Sequence, residues 1–270
     1  MYWVDAWHFR DSIEYEYKYA GNYGAKGEKR AKRRKATPEE VRRQNQRNRE
    51  KNVRRLIKAN FSSNDYWVTL KYPKGERPGI EEVKRHMKGF LDKVRRGYKK
   101  RGEKFRFIYR VEVGKRGGVH AHILLNRITD ADLLVRGGWA HGGVDFTLAY
   151  ETGGFRRLAE YLVKPPLDGE GEGGKTGRYH PSRNLVRPKP ERKEYRRRTL
   201  RKLIAEGPKP TPGYYVVPDS VVSGVNPYTG MSYLHYEEVR LARGRGGTGK
   251  AIGRRESIGN EKPKGNGGRE

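Results

Sequence analysis

The sequence predicts an α+β fold, in which helices pack on an antiparallel central sheet in the manner of a split βαβ domain. Two observations lead to this prediction. Apolar patterns within residues 61–167 change between the strand period and the helix period, in the order β-α-β-β-(α)-β-α. The second and third strands are joined only by GKRGG (114–118), which is too short for a parallel crossover and favours a hairpin.

The first half of this domain contains three predicted strands and one long helix. YWVTLKY (66–72) is rich in aromatic and β-branched residues and is followed by Pro73. FRFIYRVEV (105–113) and VHAHILL (119–125) are the strands of the hairpin. The helix between them is indicated by apolar residues at helical spacing: Ile80, Val83, Met87, Phe90, Leu91 and Val94.

The second half of the domain adds a fourth strand between two helices. TDADLLV (129–135) predicts a short helix, and VDFTLAY (144–150) predicts the strand. FRRLAEYLVK (155–164) predicts an amphipathic helix that ends before Pro165.

A basic extension is predicted before this domain, over residues 1–60. Its beginning is aromatic and unassigned, and a basic run, AKGEKRAKRRKA (25–36), follows. Thr37 and Glu40 then stand in the positions of a capping box, which predicts a long charged helix to about residue 60. Because its few apolar residues lie mostly near its end, we expect this helix to pack only there and to present arginines elsewhere.

A second basic extension is predicted over residues 168–240. ERKEYRRRTLRKLIAEG (191–207) has the composition of a basic helix. PGYYVVPDSVVSG and MSYLHYEEVRL are expected to add a hairpin to the edge of the central sheet. Residues 241–270 are rich in glycine and charge without periodicity, which predicts a disordered tail.

The charge of the chain indicates a polyanionic partner. Lys and Arg number 61 against 32 Asp and Glu, for a formal charge of +29, and 18 Tyr are interleaved with them. This combination is typical of nucleic-acid binders, although an RNA-binding or membrane-surface protein would share the charge. The absence of cysteine excludes disulfides and thiolate zinc sites. Without an apolar stretch of membrane-spanning length or a signal peptide, we expect a cytoplasmic protein with no membrane partner.

Two histidines in the third strand suggest a metal site. In GGVHAHILLN (117–126), His120 and His122 are at i and i+2 and therefore project from one face of the strand. The hairpin should bring Glu112 towards the same face. Two imidazoles and one carboxylate leave open positions on a Mn²⁺ or Mg²⁺ ion, where a phosphate oxygen could bind. The alternative is that both histidines are structural, because an HxH pair alone is a weak pattern.

A tyrosine on the last helix of the domain is the candidate nucleophile. Tyr161 and Lys164 are at i and i+3, adjacent on the helix surface. A tyrosine hydroxyl, with a pKa of about 10, needs a metal-bound phosphate and a nearby cation to react at neutral pH. The alternative is a tyrosine at the edge of the core beside a lysine that the helix dipole favours.

Taken together, these motifs resemble those of a known family. TLKY (69–72), GGVHAHILLN and EYLVK (160–164) are similar, in this order, to the three motifs of HUH endonucleases, specifically the single-tyrosine rolling-circle replication initiators of plasmids, phages and integrative elements. The resemblance covers about residues 61–170. It implies an RRM-like HUH nuclease core that nicks and rejoins single-stranded origin DNA through a 5′-phosphotyrosine intermediate, leaving a free 3′-OH.

The resemblance also assigns roles to residues. It implies that Glu112, His120 and His122 bind the metal, that Tyr161 is the nucleophile and that Lys164 assists it. Six nearby or downstream cations are expected to contact DNA: Lys71, Arg110, Lys115, Arg116, Arg157 and Arg183. A host helicase and polymerase are the expected partners, and the oligomeric state is not predicted.

Further similarity and two alternatives concern other parts of the chain. PSRNL (181–185) is similar to a segment found downstream in bacterial and phage members, and its residues indicate no role. Relaxases, which carry their tyrosine before the histidines, and transposases use the same chemistry. For a relaxase the nucleophile would come from the early tyrosines: Tyr2, Tyr15, Tyr17 and Tyr19. The third reading is a basic nucleic-acid-binding protein without catalysis.

GEGEGGKT (169–176) satisfies the phosphate-loop expression GxxxxGK[ST], but its context does not. That loop follows an apolar strand and begins a helix, whereas PPLD precedes this segment. Glu170 and Glu172 would also repel a triphosphate. We therefore predict no ATPase activity, which leaves unwinding to the host helicase.

Overall fold

A computed structural model describes residues 1–21, 28–114, 117–149, 154–164, 178–197 and 199–241. The strands in chain order are β1 (Tyr2–His8), β2 (Ser12–Tyr19), β3 (Tyr66–Lys71), β4 (Phe107–Val113), β5 (Val119–Leu125), β6 (Val144–Leu148), β7 (Tyr179–Pro181), β8 (Glu191–Tyr195), β9 (Tyr214–Val216), β10 (Val222–Val225) and β11 (Ser232–Arg240). The helices are α1 (Pro38–Asn60), α2 (Ile80–Lys100), α3 (Ala131–Gly138), α4 (Arg156–Val163) and α5 (Arg201–Glu206), and Pro218–Ser220 form a 3₁₀ turn.

The central sheet has five strands in the order β6-β3-β5-β4-β7, and all of its pairings are antiparallel. This confirms the predicted α+β class with an antiparallel central sheet. β4 and β5 form the predicted hairpin, in which Glu112 is paired with His120. The elements differ from their predicted bounds by no more than a few residues at their ends.

Helices cover both faces of the central sheet. α2 and α3 pack on one face, against alternating apolar residues such as Leu70, Ala121 and Ile123. α1 and α4 pack on the other face, around Ile108 and Leu124. The histidines of β5 alternate with the residues of the first face and therefore lie on the side of α1 and α4.

The two predicted extensions meet in a second antiparallel sheet, in the order β10-β11-β2-β1-β8, with β9 also paired to β11. The expected addition of a hairpin to the edge of the central sheet is therefore wrong, because β9, β10 and β11 belong to this second sheet. The helix predicted over 191–207 is wrong in its first half, where β8 pairs with β1. Strand pairing between distant segments overrides local helix propensity there.

The start of α1 is confirmed as a capping box. The Glu40 N–H donates to the Thr37 hydroxyl over 3.2 Å, and the Thr37 N–H donates to the Glu40 carboxylate over 2.9 Å. Val53 and Ile57 are buried near the end of the helix, as expected. Arg54, however, is also buried, because the face of α1 that turns away from the central sheet is covered by β2 and β11.

The PSRNL segment has a structural role in the described chain. Ser182 continues the pairing of β7 with β4, because its N–H donates to the Phe107 carbonyl and its hydroxyl accepts from the Phe107 N–H. Leu185 is buried beside α1 and α4. Among the helices that the structure describes, none has the length and apolarity needed to cross a membrane. The phosphate-loop-like segment 169–176 and residues 242–270 of the predicted tail lie outside the described residues.

Candidate metal and nucleophile site

Two strands of the central sheet bring a glutamate and two histidines together. Glu112 on β4 is paired with His120 on β5, and His122 lies two residues further along the same face. Glu112 Oε2 is 3.6 Å from Nε2 of His120 and 3.8 Å from Nε2 of His122. The possible ligand atoms of the three residues all lie within 4.8 Å of one another. The hairpin thus produces the cluster that the HxH spacing predicts.

The surroundings of His122 leave one of its nitrogens without a protein partner. Nδ1 is 3.1 Å from the Thr69 hydroxyl, and the Trp67 indole stacks on the imidazole with ring centroids 5.4 Å apart. Nε2 is buried and has no hydrogen bond within the described part of the chain. Burial, followed by the charge of His120, lowers the pKa of His122 to about 4. A neutral imidazole that is held through Nδ1 and has a free, buried Nε2 fits a metal ligand.

Glu112 is the carboxylate of the cluster and accepts from three directions. Burial would raise its pKa, but the Tyr161 hydroxyl, His120 and Lys164 outweigh burial and lower the pKa below its ordinary value. Lys164 Nζ lies 3.7 Å from Oε1. The carboxylate is therefore ionised at neutral pH, as a metal ligand requires.

Tyr161 on α4 joins the cluster through its hydroxyl, which donates to Glu112 Oε2. Its ring lies edge-on to His122, with centroids 4.9 Å apart, and edge-on to Trp67. Burial and the carboxylate of Glu112 raise the pKa of Tyr161 above its ordinary value. The structure therefore brings together all the residues that were predicted to carry the chemistry: Glu112, His120, His122, Tyr161 and Lys164.

Arg110 departs from its predicted role as a DNA contact. It is 1% exposed, and its Nη1 donates to three carbonyls at the end of α4: Tyr161 at 3.1 Å, Leu162 at 3.2 Å and Lys164 at 2.5 Å. A cation at a helix C-terminus satisfies carbonyls that lack partners within the helix. Arg110 thus fixes the helix that carries Tyr161 to the strand that carries Glu112.

The other predicted DNA contacts lie at several places around the site. Lys71 is half exposed and is paired with His120 across β3 and β5, and its ammonium contacts Asp145. Arg157 on α4 and Arg183 after β7 are exposed. Lys115 and Arg116 lie outside the described residues.

Trp67 and Thr69 were not predicted as site residues, although the sequence contains the signal that could have identified them. They alternate with Val68 and Leu70 in β3, so they must share the face opposite to those buried residues. Because β3 is paired with β5, that face is also the face of His120 and His122.

The early tyrosines that a relaxase would use lie on the second sheet. Tyr2 donates to Glu28, Tyr15 OH is 3.3 Å from the Thr211 hydroxyl, and Tyr17 OH is 3.5 Å from that of Tyr236. Tyr19 packs in the same cluster. Their described contacts are to residues other than Glu112, His120 and His122, which favours Tyr161 as the nucleophile.

A comparison with protein families gives independent support. Residues 65–166 match the family model of the replication-associated proteins of the ORF2 type. The matched stretch runs from the start of β3 to just beyond α4 and contains the whole cluster. The match supports a replication initiator that acts on DNA. No curated protein and no solved structure matches the chain.

Proposed function

We propose that this protein is a metal-dependent endonuclease and ligase that initiates rolling-circle replication. It nicks and rejoins single-stranded DNA at an origin through a covalent 5′-phosphotyrosine intermediate. One observation carries the proposal: the hydroxyl of Tyr161 contacts the carboxylate of a Glu-His-His cluster whose ligand atoms lie within 4.8 Å. A nucleophile and a metal-binding set thus meet at one point, within the stretch similar to replication-associated proteins.

The residues of the cluster fit a divalent cation. Nε2 of His122 is buried without a hydrogen-bond partner among the described residues, which is costly unless another group binds it. Two imidazoles and one carboxylate are a donor set that suits Mn²⁺ or Mg²⁺. When bound, such an ion supplies Lewis-acid polarisation of the scissile phosphate.

The side chains account for the bonds and protons of the reaction. The Tyr161 oxygen forms a bond to phosphorus while the bond from phosphorus to the 3′ oxygen breaks. The tyrosine proton has an acceptor in Glu112, which it already contacts. The departing 3′ oxygen takes up a proton and becomes the free 3′-OH, and attack by that hydroxyl on the phosphotyrosine rejoins the strand. Lys164 places a cation beside these charges.

The scaffold restricts the movement of the nucleophile. Trp67 packs edge-on to the Tyr161 ring, and Arg110 holds the end of α4 through three carbonyls. Reacting groups on rigid elements retain the geometry that attack requires. As parts of the same proposal, a host helicase separates the duplex and a host polymerase extends the 3′-OH.

The test is the formation of a covalent adduct. The protein is incubated with Mn²⁺ and a pool of single-stranded oligonucleotides with a randomised centre, and adducts are separated by denaturing electrophoresis. Wild type is expected to form an adduct, and mass spectrometry is expected to place the nucleotide on Tyr161. Tyr161→Phe should form none, because it lacks the attacking oxygen.

Tyr15→Phe is the matched control, because it removes a hydroxyl from the second sheet and should leave the adduct at the wild-type level. Failure of the wild-type protein to form an adduct with the pool would refute the endonuclease. An adduct retained in Tyr161→Phe and lost in Tyr15→Phe would instead assign the nucleophile to the early tyrosines.

A further inference from the structure

A cleft of about 1130 Å³ lies between α1 and the hairpin of β10 and β11 on the second sheet. The wall formed by α1 is cationic and polar, and contains Arg43, Gln44, Arg47, Asn48 and Lys51. The wall formed by the hairpin is apolar and aromatic, and contains Val222, Val225, Tyr228 and Tyr233. The two walls thus offer different chemistry to one ligand.

The ends of the cleft are formed by the basic segment before α1 and by the start of α4. Ala31 N–H donates to the Gly230 carbonyl over 2.8 Å and Arg34 N–H to the Pro227 carbonyl over 3.1 Å, so residues 28–36 are held against the hairpin. At the other end, Arg156 of α4 lines the cleft. The cleft therefore extends to the helix that carries Tyr161.

The cationic wall is not fully neutralised. Arg34 and Lys51 are paired with Glu40 and Glu16. Lys32 and Arg47 also line the cleft, are exposed, and have no ion-pair partner within the described ranges. Their charges are therefore available to a polyanion.

The aromatic wall has the form of a stacking surface. Tyr233 is paired with Gly224 across β10 and β11, and a Cβ at Gly224 would lie 2.8 Å from the Tyr233 hydroxyl oxygen and 3.0 Å from its ring. The absent side chain thus lets the ring lie close to the sheet. Tyr228 is 57% exposed at the turn of the same hairpin. An exposed aromatic wall beside cations suits bases that are not paired, because a duplex hides the base faces on which tyrosine stacks.

We propose that this cleft binds an unpaired DNA strand, which it holds next to the helix of the nucleophile. Lys32 and Arg47 contact its phosphates, and Tyr228 and Tyr233 stack on its bases. This inference rests on the proposed function, in which single-stranded DNA is the substrate, and adds a second binding site outside the nuclease cluster.

The experiment measures the binding of a fluorescent oligo(dT) by anisotropy, over a range of salt concentrations. All variants carry Tyr161→Phe and all samples contain EDTA, so the absence of nicking chemistry cannot change the result. K32E/R47E is the charge variant of the cleft. Its control is K88E/R96E, which changes charge equally on exposed positions of α2, on the opposite side of the central sheet.

The charge variant is expected to bind oligo(dT) at least about tenfold more weakly than the control. Its slope of log K against log salt should be shallower by about 1.4, because each single-strand phosphate contact contributes about 0.7. Equal losses in K88E/R96E would overturn the proposal, since the cations would then act only through the general charge of the chain.

Tyr233→Ala tests the stacking wall. We expect a loss of about 5- to 150-fold in oligo(dT) affinity with an unchanged salt slope, from the ordinary contribution of one stacked base. Tyr215→Ala, which removes an exposed tyrosine from β9 outside the cleft, should bind as wild type. If Tyr233→Ala does not fold, Tyr228→Ala provides the same readout from an exposed position.

The other occupant with suitable charge is an acidic protein segment. A duplex of the same length and polyglutamate are therefore used as competitors of oligo(dT), and both should compete poorly. Competition by polyglutamate at equal charge concentration, together with unchanged oligo(dT) binding in both tyrosine variants, would overturn the proposal. An adduct-forming enzyme with wild-type binding in all cleft variants would leave the proposed function intact and refute only the cleft.

Discussion

The two sheets each bury glutamates on the face that meets a helix, but they surround these glutamates with different partners. On the second sheet, Glu14 and Glu16 face α1 and are bonded to arginine and lysine. On the central sheet, Glu112 faces α4 and is surrounded by two imidazoles, a tyrosine hydroxyl and one lysine.

The buried glutamates of the second sheet are paired with cations. Arg55 donates to Glu14 over 2.8 Å and to Glu16 over 2.7 Å, and its guanidinium lies 3.4 Å from the centre of the Trp7 ring. Lys58 donates to Glu14 over 3.0 Å and also contacts Glu237. Burial alone would raise the pKa of Glu14, but the nearby cations lower it to about 2. This cluster joins α1 to the sheet.

The comparison is sharpest for one histidine on each sheet. Burial lowers the pKa of both His122 and His235 to about 4. His235 donates from Nδ1 to the Tyr15 carbonyl over 3.1 Å, whereas Nε2 of His122 has no hydrogen-bond partner among the described residues. A satisfied buried network stabilises a fold, while an unsatisfied group at a functional cluster indicates chemistry. We therefore expect the two clusters to respond oppositely to substitution.

The largest expected effect is on cleavage. His122→Ala should reduce single-turnover adduct formation by about 10³-fold or more, because several kcal/mol of phosphate polarisation depend on the metal. DNA affinity should change little, because it comes mainly from lysine and arginine on phosphates. His235→Asn, which can keep the hydrogen bond to Tyr15, should cleave as wild type. Equal losses in the two variants would remove the distinction between the clusters.

The central cluster was predictable because its residues are close in sequence and follow one simple rule. His120 and His122 share a face by strand alternation, and a short hairpin returns Glu112 to that face. The exception is Arg110, which follows the same alternation. Its neighbour across space is the end of α4, about 50 residues later, and sequence alone does not show that a helix covers it.

The second sheet was not predictable because its strands come from opposite ends of the chain. In SIEYEYKY (12–19), glutamate and tyrosine alternate, and both sets are buried by different partners. Glu14 and Glu16 meet α1, while Tyr15 and Tyr17 pack with Tyr236 of β11. A strand that buries glutamates lacks the apolar alternation by which a half-buried strand is recognised.

The next effect is on stability and should be confined to the second sheet. Glu14→Ala leaves Arg54, Arg55 and Lys58 buried without their shared carboxylate, which should lower the free energy of unfolding by about 3–5 kcal/mol. Glu112→Ala should cost about 1 kcal/mol or less, because Lys164 is 46% exposed and remains hydrated. Urea denaturation measures both. A larger loss in Glu112→Ala would show that the central cluster is also structural.

Metal binding should separate the same two histidines without any DNA. At an ion concentration 100 times the dissociation constant, Mn²⁺ should stabilise the wild-type protein by about 2.7 kcal/mol. The increase in melting temperature should disappear in His122→Ala and persist in His235→Asn, which does not touch the donor set. Stabilisation by Mn²⁺ that survives in His122→Ala would place the ion elsewhere in the protein.

The smallest effect concerns pH and again depends on His235. Its pKa is about 4 in the folded protein and 6.5 as an ordinary histidine, so the unfolded chain takes up the proton first as the pH falls. The corresponding stability is complete above pH 6.5 and is lost towards pH 4.

His235 is faced by one close carboxylate, Glu16 Oε1 at 4.0 Å, and by the charges of Glu14, Lys51 and Arg54. These acids and bases keep their charge between pH 7.5 and 5, so the change in this range is assigned to histidine. His235→Asn should therefore lose less stability than wild type over that range, by on the order of 2 kcal/mol. Urea denaturation at both pH values measures the difference. Parallel losses in the two proteins would mean that His235 takes up its proton in the folded state as readily as in the unfolded chain, and that the paired network around it tolerates a further charge.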